Sequence, residues 1–327
     1  MSIAPLPRSR LVALVGGSGF LGTAAAELFA AAGWRVVAVC RKPANARHLK
    51  PLGDLGQIAA RFGDVRRPET LAAALQGADA VVNLVGVLDQ KGGQGFFEIN
   101  RRGAGAVAAA AAAAGAGALV QLSAIGADPR AESAYARSKA GGEAAVQKAF
   151  PAAAILRPSA IFGAGDQFTN RFAALVAAAP VVPVIAPETR MQPVFVKDVA
   201  AAIVAATERQ LAGAATEEGA GAGTLHELAG PEILTIRQIV EFVADATGNA
   251  RPLFDTPALG ARLLARLSFL PGAPLTREQW LLLREDNLPS GQHPGLADFG
   301  IEPMSIASAA PLWLGRYRAG GRFTAAG

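Results

Sequence analysis

The chain has 327 residues, 51% of them apolar, with a formal net charge of +5, three histidines and one cysteine. That apolar share supports a sizeable core and excludes a disordered chain. Cys40 alone cannot form an internal disulfide, and His48, His226 and His293 show no metal-ligand spacing. No dense basic run points to nucleic acid, and the mild positive charge suits an anionic cofactor or a membrane surface.

The stretch ahead of the first strand lacks the apolar core of a secretory signal and is short for a transit peptide, so no signal peptide is expected. Leu11-Val12-Ala13-Leu14-Val15 reads as a buried strand running into Gly16-Gly17-Ser18-Gly19-Phe20-Leu21-Gly22, and Thr23 to Ala32 leaves it as a helix. In this dinucleotide-binding pattern Gly16 permits the tight turn, Gly19 lets backbone approach a pyrophosphate, and Gly22 lets the helix pack on its strand. Ser18, Phe20 and Leu21 share the turn and are candidate cofactor contacts. The phosphates belong at the helix N-terminus, where open N–H groups and the dipole favour anions.

Trp34 to Cys40 reads as the second strand, and it ends in Arg41-Lys42 with no acid until Asp54. NAD binders place an acid about twenty residues past the glycine turn for the ribose 2′-hydroxyl, whereas NADP binders place a cation for the 2′-phosphate. NADP(H) is therefore expected in preference to NAD(H).

Gln57 to Phe62 reads as a third strand followed by Gly63-Asp64-Val65, then Arg66 to Leu75 as an amphipathic helix. Ala80 to Val85 is a fourth strand, closing in Asn83-Leu84-Val85-Gly86. Gly103 to Ala127 is uncharged and mostly alanine, but Gly115 and Gly117 interrupt it before Ala118 to Leu122. Helix, stop and buried strand fit that stretch better than a membrane span. The alternation of strand and helix predicts an α/β fold, a doubly wound Rossmann-type parallel sheet with right-handed crossovers.

The strongest catalytic pattern is Tyr135-Ala136-Arg137-Ser138-Lys139, which puts Tyr135 and Lys139 one helical turn apart on one face. A phenol with a pKa of about 10 is a poor acid–base group at neutral pH. A neighbouring ammonium favours the phenolate and is expected to draw Tyr135 toward working range, and Lys139 is also placed to hold a ribose. Ser123 ends the fifth strand in Gln121-Leu122-Ser123-Ala124.

In their order these motifs resemble the short-chain dehydrogenase/reductase superfamily, in its extended or atypical form. The resemblance implies that Asp64-Val65 contacts adenine, that Val85 and Gly86 wall the cofactor, and that Asn100 props the active site. It implies a catalytic set of Ser123, Tyr135, Lys139 and Asn100, with Ser123 on a substrate carbonyl or hydroxyl and Tyr135 as proton donor. Ile155 to Gly163 resembles the extended branch's sixth strand, where the segment after Pro158 approaches the carboxamide. Gln192 to Ala200 matches a strand entering a helix, and Arg190 before it reads equally as facing substrate or solvent.

Residues 207–224 read as an exposed connection, Leu225 to Leu228 as a strand, and Thr235 as the N-cap of a helix, Ile236 to Ala246, closed by Gly248. Ala258 to Leu270 carries Arg262 and Arg266 on one face of an amphipathic helix. Lying on a membrane, covering an apolar pocket and packing on its own domain all stay open for it. The expected domains are a nucleotide-binding domain over 10–165 and a smaller substrate or lid region over 166–327, with about 190–230 returning to the main sheet.

The whole order, including Asp166 to Phe172 and Pro274 to Asn287, is similar to the NADPH-binding accessory subunits of respiratory complex I and their bacterial relatives. That resemblance implies a tightly held structural nucleotide, the quinone-module subunits of complex I as partners, and a bacterial cytoplasmic location. The place implied is peripheral on the inner membrane, without a transmembrane helix. The alternatives are an NADPH-dependent reductase or epimerase/dehydratase on a hydrophobic, quinone- or isoprenoid-like substrate, and a sensor of the NADPH pool.

Overall fold

The computed structural model describes residues 9–88, 95–214, 223–249, 251–257, 260 and 276–318. The expected helix from Ala258 to Leu270 lies outside the described residues, apart from Gly260.

The strands in chain order are β1 (Leu11–Val15), β2 (Arg35–Cys40), β3 (Ile58–Phe62), β4 (Ala80–Asn83), β5 (Ala118–Leu122), β6 (Ala154–Pro158), β7 (Ile161–Phe162), β8 (Val182–Ile185), β9 (Arg190–Met191), β10 (Val194–Phe195), β11 (Thr224–Leu228), β12 (Leu234–Thr235) and β13 (Leu253–Thr256). The main helices are α1 (Phe20–Ala31), α2 (Glu69–Leu75), α3 (Ala104–Ala113), α4 (Ala134–Ala149), α5 (Thr169–Ala178), α6 (Val196–Ala214) and α7 (Ile236–Thr247).

Seven strands form one sheet in the order β11-β6-β5-β4-β1-β2-β3, and each neighbouring pair is parallel. This is the expected doubly wound arrangement, in which the strand order reverses between β1 and β4. Both central strands are buried along their whole length, and all their residues but Asn83 are apolar, because helices cover the two sides. On one side α1 and α6 close a core that includes Phe29, Trp34, Val199 and Ile203. On the other, α3 buries Ala104, Val107, Ala108 and Ala111, the spacing of a single helix face, beside Leu71 and Leu75 of α2.

The reading of 207–224 as a connection is corrected in its first part, since α6 continues to Ala214. Polar residues there serve the sheet's amino-terminal edge. Glu208 accepts from the Trp34 indole at 2.8 Å and from Arg10, while the Gln210 amide pairs with both backbone groups of Leu119 at 2.8 and 3.1 Å. A helix read as polar loop is here a helix whose half-buried polar side chains find partners on the sheet.

The remaining strands form two-stranded pieces, β10-β7, β12-β9 and β13-β8. The β13-β8 piece packs with α5 and α7 over Val176, Val182, Val184, Ile236 and Val240, while Phe162 of β7 and Val194 and Phe195 of β10 join the main core. Thr235 and Gln238 form a reciprocal capping box on α7, and Gly248 ends it in the left-handed conformation. Asp166 accepts from Gly163 N, Phe168 N, Asn170 N and the Thr169 hydroxyl at 2.7–3.0 Å, which makes it the anchor of α5. Trp313 then stacks on Phe195, centroids 6.3 Å apart, and ties the end of the described chain to the core.

Candidate functional site

The glycine turn sits at the carboxyl edge of β1, at the reversal of strand order. Gly16 takes a left-handed φ of +86° and donates from its N–H to Val39 O at 2.9 Å, so the turn is pinned against β2. A Cβ at Gly22 would stand 2.5 Å from Gly17 O, which means α1 lies directly on the turn's backbone. Gly17, not singled out in the sequence, is equally restricted, since its Cβ would be 2.8 Å from Leu14 O. No side chain caps the first turn of α1, whose N-cap is Gly19. Its leading N–H groups and Ser18 form a cradle suited to a pyrophosphate. Leu21 is buried in the core and Phe20 packs against Gly163, so those two offer backbone rather than side chain to such a ligand. The Val85 side chain lies over Gly16.

Arg41 and Lys42 follow β2 and are exposed. Beside them, after β3, Asp64 is buried and its carboxylate accepts from Arg66 N, Nε and NH2 at 3.0, 3.0 and 2.6 Å. The Arg66 hydrogen bond, with smaller help from the Arg41 charge, holds the Asp64 carboxyl below its usual range. Asp64 is thus engaged by its own chain, and Val65 is buried against Gly103.

Asn100 lies in a π-helical turn, Phe97–Gly103, that leads into α3. Such turns arise where an extra residue is accommodated for a local purpose. Here the Asn100 amide accepts from Val87 N at 3.0 Å and donates to Val87 O at 3.2 Å and the Ser138 hydroxyl at 3.0 Å. It fixes the loop after β4 to the helix that carries Tyr135. The backbone approach is so close that a Cβ on Gly142 of α4 would overlap Asn100 O. Gly86 is exposed on the same loop, its α-carbon facing Lys139 Nζ and Asn100 Oδ1.

Tyr135 and Lys139 share the α4 face that looks to this loop and to the end of β5. Lys139 is buried and its ammonium donates to Leu122 O at 2.8 Å. Desolvation pushes it down to about 8, against an opposing pull from Glu143. The Tyr135 ring meets Phe96 edge-on at 6.0 Å, and burial pushes its phenol up. The direction runs opposite to the expected pull of Lys139 toward neutrality: burial raises the phenol. Ser123 is buried and its hydroxyl donates to Glu143, whose carboxylate is gripped by Arg157 Nε and NH2 at 2.8 and 2.6 Å. A carboxylate paired with a guanidinium has no proton to give, so Ser123 turns only lone pairs to any further partner. Ile125 N donates to Pro158 O at 3.0 Å, which sets Pro158 behind the same site.

Sequence reasoning missed Glu143, Gly142 and Glu278. Glu143 continues the Tyr135–Lys139 stripe by one more turn, a signal that was readable. Glu278, in the short helix Arg277–Leu283, accepts from the Ser133 hydroxyl at 3.0 Å and Tyr135 N at 3.3 Å and so caps α4 from far along the chain. Asn287 similarly accepts from the Ser159 hydroxyl at 2.6 Å and Ala160 N at 3.1 Å, beyond Pro158. Arg190 pairs with Asp286 at 2.6 Å and stays exposed, so of its two readings the solvent-facing one fits. Among the described residues no cluster of acids, histidines or cysteines is built to hold a metal ion.

The model of the NAD dependent epimerase/dehydratase family matches residues 12–218, more than half of the chain. The chain belongs to that family. Within it, the chain is 31% identical over 327 aligned residues to subunit 9 of the NADH dehydrogenase [ubiquinone] 1 alpha subcomplex of Arabidopsis thaliana, covering 96% of this chain and 79% of that protein. The corresponding Mus musculus subunit is 30% identical, covering 95% of this chain and 81% of its own length. A ceramide reductase of Caulobacter vibrioides is 36% identical over 196 residues, 60% of each chain. Among solved structures, UDP-glucose 4-epimerase from Bifidobacterium longum, in complex with NAD+ and UDP, superposes with a TM-score of 0.68 at 13% identity, over 93% of this chain and 97% of that one. The epimerase/dehydratase fold is thereby shared, and the family and the NAD complexes of such neighbours support a nicotinamide nucleotide as cofactor.

Proposed function

We propose that the protein is a nucleotide-holding accessory subunit of respiratory complex I. The observation that carries this reading is the likeness, along 96% of the chain, to a subunit 9 of that complex. The site supports it: Ser123 has committed its proton to Glu143 and so has none to give a substrate carbonyl. Gly16, Ser18, Gly19, Gly22 and the backbone of Phe20 and Leu21 would hold the pyrophosphate, Lys139 and Tyr135 the nicotinamide ribose, and Gly86 with Pro158 the nicotinamide end. A bound NADPH would carry a transferable hydride, which the subunit reading leaves in place and the enzyme reading would use. Exposed Arg41 and Lys42 favour NADP(H) by offering cations to a 2′-phosphate. No described helix is long and apolar enough to cross a membrane, so the docking proposed is peripheral, beside the quinone-module subunits on the cytoplasmic face of a bacterial inner membrane.

A second reading, an NADPH-dependent reductase acting on a hydrophobic substrate, is favoured by the ceramide reductase relative and by the presence together of Ser123, Tyr135, Lys139 and Asn100. Gentle purification followed by identification of the carried nucleotide separates the two. Tightly held NADPH that ketones and quinones leave reduced, with co-migration with complex I on native gels, supports the subunit. NADPH oxidised by an apolar carbonyl, and silenced by Tyr135→Phe, replaces it with the enzyme.

A further inference from the structure

Two side chains one turn apart on α4 take hold of consecutive residues at the end of β5. Lys139 donates to Leu122 O at 2.8 Å, and Glu143 accepts from the hydroxyl of Ser123. Lys139 and Glu143 are each 6% exposed, so neither charge is screened by bulk water. Behind them Arg157 of β6 binds Glu143 at 2.6 Å and faces Glu227 of β11 at 3.8 Å. Glu227 in turn accepts from Ser290 N and Oγ at 2.5 and 2.8 Å. The cluster contains two cations and two anions, and it balances only while Lys139 keeps its proton.

We propose that Glu143 is the positioning residue of this site, which keeps Lys139 charged near neutral pH and fixes the Ser123 hydroxyl, so that the ribose-binding ammonium is ready for the nucleotide. The Glu143 charge opposes the desolvation that pushes Lys139 down to about 8. The other groups facing the pair are Arg157 and Glu227 from the strands, Asp128 acting on Arg157, and Tyr135 on α4, with Glu278 at the helix's amino end. Of these only Glu143 is both on the Lys139 face of α4 and bonded to the residue after Leu122. The role in nucleotide binding rests on the nucleotide-holding reading above, whereas the control of the Lys139 charge does not.

The test reads Lys139 directly. Among the six lysines of the chain, 13Cε-lysine resonances are followed from pH 6 to 10, and Lys139→Met identifies the one of interest. In the wild type its midpoint is expected near 8. Glu143→Gln should lower it by about one unit, while Glu143→Asp, which keeps the charge, should restore it toward the wild-type value. NADPH affinity, read by nicotinamide fluorescence, should fall several-fold in Glu143→Gln at pH 7.5 and recover at pH 6.5. Coincident Lys139 midpoints in wild type and Glu143→Gln overturn the proposal, as does an affinity loss equal at both pH values. If Glu143→Gln does not fold, Glu143→Met, neutral and of similar length, takes its place and is read by the same two outcomes. A wild type that binds no NADPH overturns the nucleotide reading, while the titration still decides the control of Lys139.

Discussion

At the scale of single residues, backbone contact at two glycines sets what the site tolerates. A methyl at Gly22 would meet Gly17 O at 2.5 Å, and one at Gly142 would overlap Asn100 O. Gly142→Ala is expected to cost stability at the upper end of the about 1–3 kcal/mol typical of overpacking, measured by urea unfolding. Gly22→Ala should also open the phosphate cradle, so calorimetry should show weakened nucleotide binding along with the stability loss. The paired cations are a separate matter, because they are exposed and carry no packing. Replacing Arg41 and Lys42 by alanine is expected to leave the melting temperature within a degree or two and to lower NADPH affinity about tenfold more than NADH affinity, since a phosphate contact by a charged donor is worth about 1.5–3 kcal/mol at best. Equal losses for the two nucleotides would remove Arg41 and Lys42 from the specificity argument.

At the scale of elements, α4 is the part on which everything converges. It meets the π-helical turn through Asn100, the end of β5 through Lys139 and Glu143, β6 through Arg157, and the helix Arg277–Leu283 through Glu278. Arg157→Met leaves Glu143 as a buried carboxylate without its guanidinium. Breaking such a pair typically costs about 3–5 kcal/mol, which should appear as a lowered midpoint in chemical denaturation. Glu278→Ala removes an anion from the amino end of α4 and one acceptor for Ser133. The expected cost is about 1 kcal/mol, together with faster amide exchange at the first turn of α4, including Tyr135. Protection unchanged at Tyr135 would show that the short helix merely lies alongside.

For the whole molecule, the buried Lys139 sets a sign for stability against pH. Its folded value of about 8 lies below the ordinary 10.5, so the unfolded chain holds a proton that the folded chain lacks between those limits. Its contribution is complete above 10.5 and is lost as pH falls through 8. Stability of the nucleotide-free protein should rise across that window by about 2–3 kcal/mol more in the wild type than in Lys139→Met, measured by denaturant titration at several pH values. Tyr135 acts oppositely and only at higher pH, because its raised phenol keeps its proton in the folded chain after the unfolded one has lost it. β2, β1, β4 and β5 are parallel neighbours in the seven-stranded sheet, so the segments that carry Arg41, Gly16, Gly86 and Ser123 leave it at one carboxyl edge.

The strands, the glycine turn and the Tyr135–Lys139 stripe were legible in the sequence because they depend on local rules. A buried parallel strand is a run of apolar residues, a close helix–strand approach demands glycine, and four residues make one helical turn. Thr235 and Gly248 bound α7 for the same reason. The second half of α6 was not legible, because its Glu208 and Gln210 look like loop residues until Trp34 and Leu119 are brought beside them. Nor could the sequence alone give the sign of the Tyr135 shift, which follows from burial, or join Ser123 to Glu143 and Arg157, or bring Glu278 to the head of α4. Those outcomes depend on desolvation and on contacts between segments far apart in the chain, and both are set only when the helices close on the sheet.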